Sequence, residues 1–181
     1  MRLRGLLNTL GLQTDGPAPG AGAFLHRLQD QLRLLGPERL EYLAGFAGQL
    51  ARVAHVDGGI SAEEAVLIGD LLGRQAKLSA PQARVVVDLL QYEFGVLRSV
   101  EHHLLNRAVN AHASTEDKHT LLDCLYAVAS VDRLVSEIEE REIRKIAEAL
   151  LVPHRVLMEI RAAYRDHLEV FQLLKRARAG A

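Results

Sequence analysis

The sequence holds a single cysteine, Cys124, and no tryptophan. One thiol cannot close an intramolecular disulfide or build a cysteine-rich zinc site. Its neighbours in LLDCLYAVA are apolar and no base stands beside it, so it reads as a buried, inert thiol suited to a reducing compartment. Phe, Trp and Tyr together make up 4% of the chain, too few to offer bases a stacking platform. An excess of one charge is missing too. Against 23 acidic residues stand 22 basic ones, for a formal net charge of −1, which argues against nucleic acid or an anionic membrane as the main partner. No apolar run reaches the roughly 20 residues of a membrane span. The opening stretch MRLRGLLNTLGLQ is broken at Asn8 and Thr9, short of the apolar run of a signal peptide. The expected location is the cytoplasm.

Catalytic signatures are absent as well. There is no Gly-x-Ser-x-Gly, no phosphate-cradling Gly-x-x-x-x-Gly-Lys-Ser/Thr and no Gly-x-Gly-x-x-Gly. GPAPGAG has no strand before it and no lysine after it, so it reads as a linker. Among eight histidines, His102 and His103 are adjacent and diverge on a helix. His119 with Asp123, and Glu116 with His119, have helical spacing but form only single pairs, so surface or satisfied histidines are expected. No catalytic residue is assigned, and an enzyme is not expected.

What is present is helical periodicity. Residues 1–22 form an N-terminal arm ending in the Gly/Pro-rich linker, residues 23–177 the helical domain, and 178–181 a tail. FLHRLQDQLRLL stops at Gly36-Pro37, and Pro37 suits the first turn of the next helix. That helix carries Leu40, Leu43, Ala47, Leu50 and Ala54 on one stripe. Ser79 with Gln82, and Ser114 or Thr115, mark further helix starts. Ile143, Ile146, Ala147 and Leu150 form the apolar face of a later helix, and Pro153 opens a last long helix running to about Lys175. The predicted fold is an all-α bundle of about seven or eight helices, with no convincing strand.

Two stretches repeat without gaps, with Asp57 and Asp132 in register 75 residues apart. Leu50, Val53, Ala54, Val56, Asp57, Ile60, Ser61, Glu64 and Ile68 pair with Leu125, Val128, Ala129, Val131, Asp132, Val135, Ser136, Glu139 and Ile143. The unit is a helical hairpin whose turn reads Asp-x-x-Val/Ile-Ser-x-x-Glu. Ser61 with Glu64, and Ser136 with Glu139, have capping-box spacing, and Ile60 and Val135 are placed to staple onto the following helix. The aspartates continue the apolar stripes and are expected to point toward the core at helix C-termini, where the dipole disfavours them. Each then needs a partner: backbone N–H groups, an Arg or Lys, or a cation. Laid on a calcium loop, Asp57 is fifth, Gly58 sixth and Glu64 twelfth, but Val53 and His55 fill the first and third positions. In the second turn Arg133 replaces the glycine, and Val128 and Ser130 fill the front. Neither turn is an EF-hand.

The doubled pattern, carried by Ala54, Asp57, Gly58, Ile60, Ser61 and Glu64 and again by Ala129, Asp132, Val135, Ser136 and Glu139, resembles the TerB tellurite-resistance family. The same module forms the N-terminal part of the DjlA co-chaperone type, and the likeness spans roughly residues 24–175. The resemblance implies a helical bundle without a catalytic site, acting in a stress or metal-oxyanion response through other proteins, membrane-associated components among them. It also implies a divalent cation as the one candidate cofactor, with Asp57, Glu63, Glu64, Asp132 and Glu139 at the matching acidic positions. The second turn, DRLVS, departs from an Asp-Gly pattern, which weakens a symmetrical two-loop site. No His-Pro-Asp tripeptide occurs, so co-chaperone activity does not carry over.

Overall fold

The computed structural model describes residues 35–56, 58–93 and 102–179, with Leu28, Asp30 and Leu32 ahead of them. Among these residues eight α-helices follow one another: α1 (Pro37–Ala54), α2 (Ala62–Gln75), α3 (Ala80–Glu93), α4 (His102–His112), α5 (Thr115–Ala129), α6 (Glu137–Ala149), α7 (His154–Ala163) and α8 (Glu169–Ala179). The expected N-terminal arm and the core-side Asp57 lie outside the described residues. Of the helix expected at 24–35, Leu28 and Leu32 are described and both are buried.

Helix α1 is the axis of the bundle. Its apolar stripe predicts burial on one side, yet every residue from Leu43 to Ala54 is buried. A helix covered all round belongs to the middle of a core. Small residues make this possible, because α1 carries Ala44, Gly45, Ala47, Gly48, Ala51 and Ala54 and contacts α2, α3, α4, α5 and α6. The closest approach is to α4. A Cβ added to Gly45 would stand 2.9 Å from Val109 Cγ2 and 3.0 Å from the Val109 backbone nitrogen. Glycine therefore sets the α1–α4 spacing.

The other helices present ordinary amphipathic faces to this axis. Ile68 and Leu72 of α2, Val86 and Leu90 of α3, Leu121, Leu122 and Leu125 of α5, Ile143 and Ile146 of α6, and Leu150 just after α6 are all essentially inaccessible. Each such side chain stabilises the fold by about 1.5–3 kcal/mol. Arg39 of α1 closes the far end of α2 by donating to the carbonyls of Ala76 (3.1 Å) and Lys77 (3.2 Å).

The last long helix predicted from the sequence is broken. After α7 the chain makes a 3₁₀ turn at Arg165–His167, and Leu168 then pairs in parallel with Val135. The Val135 N–H donates to the His167 carbonyl (2.7 Å) and the Glu169 N–H to the Val135 carbonyl (3.0 Å). Both side chains are buried. The pairing satisfies backbone groups of the turn before α6 and drives Leu168 into the core, two gains that an unbroken helix would forgo.

Candidate functional site

The two acidic turns are built alike at their helix starts. Ser61 accepts from the Glu64 N–H (3.2 Å) while the Ser61 N–H donates to Glu64 Oε2 (2.8 Å). Ser136 and Glu139 form the same reciprocal pair at 3.3 and 2.8 Å. Glu64 and Glu139 are buried carboxylates, and each is occupied by its own helix terminus. A third box, Ser114 with Asp117, starts α5, which places the cap on Ser114 rather than Thr115. Val135 is fully buried and Ile60 is partly buried against the core.

The turns also share a backbone requirement. Gly58 sits at φ +138, and Arg133, the residue in register with it, at φ +72. Glycine enters this region freely, whereas an arginine is strained there. The second turn is steadied by its aspartate: Asp132 Oδ1 accepts from the Leu134 N–H at 2.9 Å. The expectation that Asp132 points into the core is not met, for its side chain is exposed. The apolar stripe stops with α5 at Ala129, so Asp132 lies beyond the helix that was to aim it. Its partner is a backbone N–H of its own turn.

Glu63 is exposed at the first turn of α2. Val53 and Val128, at the front of the calcium-loop register, are sealed in the core. Among the described residues no three His, Cys, Asp or Glu side chains are grouped to hold a metal ion. Asp57 falls outside those residues.

The strongest interior polar cluster was not singled out in the sequence. Gln49, inaccessible on α1, donates to Asn106 of α4 (2.8 Å), and Arg52 pairs with Glu142 of α6 (2.6 Å). Lys145 reaches the other Glu142 oxygen at 3.1 Å. Burial pushes the Glu142 carboxyl up, but the hydrogen bonds and charges of Arg52 and Lys145 outweigh that and hold it below its ordinary value. His102, at the start of α4, is half-buried and held low by burial and then by the Arg52 charge. A separate pair joins Glu41 of α1 to His112 of α4 at 2.7 Å. Gln49 and Arg52 stand out as the polar residues among the small and apolar side chains of Leu43–Ala54 in α1.

The groups with nucleophilic chemistry are turned away from it. Cys124 is buried, and burial, with Asp123 beside it, pushes its thiol up to about 11. Burial lifts the Tyr42 and Tyr126 phenols to about 12 each. Tyr164 stacks on Tyr126 and donates to Asp123 Oδ1 at 3.0 Å, and it too is raised, first by burial and then by that carboxylate. Asp123, four residues from His119, accepts from the Tyr164 hydroxyl. His119 keeps a buried Nε2 with no hydrogen-bond partner among the described residues, so it is not satisfied as expected.

With this geometry in view, comparison with known families matches residues 44–162 to the family described as Tellurite resistance protein TerB. The matched span begins inside α1, contains both capped turns and ends in α7. Neither a curated protein nor a solved structure matches the chain.

Proposed function

The chain belongs to the TerB tellurite-resistance family, and on that premise we propose that it is a non-catalytic, cytoplasmic helical module acting by binding other proteins in a stress response of the tellurite-resistance type. The observation that carries the non-catalytic part is the direction of its titratable groups. A nucleophile needs its pKa brought toward neutrality. Here the Cys124 thiol is pushed up to about 11 and the Tyr126 phenol to about 12. The polar interior supports the same reading, since Gln49, Arg52, Asn106 and Glu142 spend their hydrogen bonds on one another. No helix among the described residues is long and apolar enough to cross a membrane.

Two measurements test the proposal. Cells lacking the gene are challenged with tellurite and supplied with the wild-type chain or Cys124→Ser; the variant is expected to restore growth as well as wild type does. Covalent crosslinking in the same cells is expected to capture a reproducible set of proteins that grows under challenge. A folded Cys124→Ser protein without function would sink the non-catalytic reading. Absence of any captured protein would sink the binding one.

A further inference from the structure

The end of the bundle built by α6, α7 and α8 holds an open cleft of about 270 Å³, lined by Glu137, Glu140, Arg141, Arg144, Arg161 and Val170. Its charges are not evenly matched. Glu140 takes Arg161 through both oxygens, at 2.7 and 3.2 Å, and the Arg144 guanidinium stands 3.5 Å away. That bidentate pair neutralises Glu140 and Arg161 together. What remains facing the cleft is Arg141, with no ion pair among the described residues, and the half-exposed Arg144, which reaches the already paired Glu140 only at 3.5 Å, against the lining carboxylate of Glu137. Arg165 adds a further guanidinium nearby, stacked 4.8 Å over the Phe171 ring.

Exposed apolar side chains stand among these charges. Six large hydrophobic side chains are exposed among the described residues, and four of them, Leu134, Ile138, Val170 and Leu173, belong to this end. Val170 lines the cleft itself, Ile138 follows Glu137 on α6, and Leu134 precedes the residue that pairs with Leu168. The platform is held rigid by that pairing and by the Glu137 N–H, which donates to the Glu169 carboxylate at 3.1 Å. Guanidinium groups in excess of the lining carboxylates, beside exposed aliphatic side chains, match a ligand offering carboxylates and apolar groups together. Glu137 and the apolar side chains disfavour a polyanion such as nucleic acid, which they would repel or leave unpaired.

We propose that this cleft docks an acidic amphipathic segment of a partner protein, its carboxylates on Arg141 and Arg144 and its apolar side chains on Val170 and Ile138. The inference rests on the protein-binding reading above and gives that reading a surface and a partner chemistry. Val170 lies beyond the span matched by the family.

The test uses the full chain and a fluorescent helical peptide bearing glutamate and leucine on one face, with a lysine-for-glutamate version as control. Anisotropy is expected to show saturable binding of the acidic peptide that weakens with salt. Arg141→Glu and Val170→Asp, both surface changes verified by circular dichroism to stay folded, should each weaken binding at least about tenfold. Arg84→Glu, on exposed α3 surface, should leave it unchanged. Equal affinity in all variants, equal binding of the lysine peptide, or complete displacement by inorganic phosphate would overturn the proposal. In-cell crosslinking separates the two levels: the same proteins captured by wild type and Arg141→Glu would sink the cleft and leave protein binding standing. Nothing captured by wild type would sink both.

Discussion

Arg52 Nε lies 2.6 Å from Glu142 Oε1, joining the axial helix α1 to α6 with both side chains almost wholly removed from water. Such a pair is a poor source of net stability, but a large penalty follows when one member is deleted and the other stays buried. Glu142→Ala is therefore expected to cost about 2–4 kcal/mol, more than Glu142→Gln, which keeps an acceptor for the guanidinium. The pH dependence has a defined sign. Arg52 and Lys145 hold the folded carboxyl below its ordinary value, overcoming burial. Its stabilisation is then fully present above the unfolded glutamate range near about 4.3 and is lost as pH falls through the lower folded value. Urea midpoints for wild type and Glu142→Gln should converge on acidification below that range. A constant gap down to the acid transition would contradict the pairing.

His102 predicts a second, separate window. Burial and then Arg52, with Lys145 in support and Glu142 opposed, keep the folded imidazole below its ordinary value. Near about pH 6.5 the unfolded chain takes up a proton that the folded chain refuses, so stability declines as pH falls from there to the folded pKa. His102→Gln should flatten the urea midpoint between neutral pH and pH 5. An NMR titration placing His102 above the ordinary histidine value would overturn the assignment.

Gly45 and Gly48 line the α1–α4 contact and make a graded prediction. Alanine gains about 0.8–1 kcal/mol over glycine in a helix interior. At Gly45 the new methyl meets the Val109 backbone nitrogen at 3.0 Å, which cannot move without shifting α4. At Gly48 it meets Leu105 Cδ2 at 2.6 Å, the far end of a side chain that can change rotamer. Overpacking of this kind costs about 1–3 kcal/mol, so Gly45→Ala should lower the thermal midpoint and do so more than Gly48→Ala. A stabilised Gly45→Ala would show that α4 sits farther away.

The parts legible in the sequence are those set within a few residues. Ser61 with Glu64 and Ser136 with Glu139 are three apart, and the caps form between those residues alone. Helices α1 to α6 follow from periodicity, whereas α7 and α8 were read as one, and the family followed from the doubled turn. What was illegible depends on distant partners. Nothing near Leu168 announces that its helix must break, because the cause is Val135, on another segment. Arg52 and Glu142 lie 90 residues apart, and no local pattern couples them. Asp132 was misplaced for another reason: a helical stripe was extended past the end of its helix. The Arg141–Val170 cleft needs α6, α7 and α8 brought to one end of the bundle, a juxtaposition that periodicity does not encode.

The break at Leu168 is testable through its packing. Leu168 is almost wholly buried and its removal leaves a cavity beside Val135. Leu168→Ala is expected to cost about 2–5 kcal/mol. Hydrogen exchange should also quicken at the Glu169 and Val135 amides, which hold the two segments together. A small loss with both amides still protected would mean that α8 is fixed by other contacts.

Leu151 closes α6 in a conformation that suits glycine. Its φ is +59, and 82% of its surface is exposed, so the side chain supplies little packing to offset the strain. The turn itself is well bonded: the Leu151 N–H donates to the Glu148 carbonyl and the Val152 N–H to the Ala147 carbonyl, each at 3.0 Å. Asn110 and Lys118 satisfy the next carbonyls, those of Ala149 and Leu150. A left-handed backbone costs a β-carbon residue about 1–2 kcal/mol, while glycine gives back part of that through its freer unfolded chain. Leu151→Gly should thus stabilise by about 0.5–1 kcal/mol, a rise of about 1–4 °C in thermal midpoint for a chain of this length. A lowered midpoint would mean that the leucine side chain holds the α6–α7 turn in a way its exposure does not reveal.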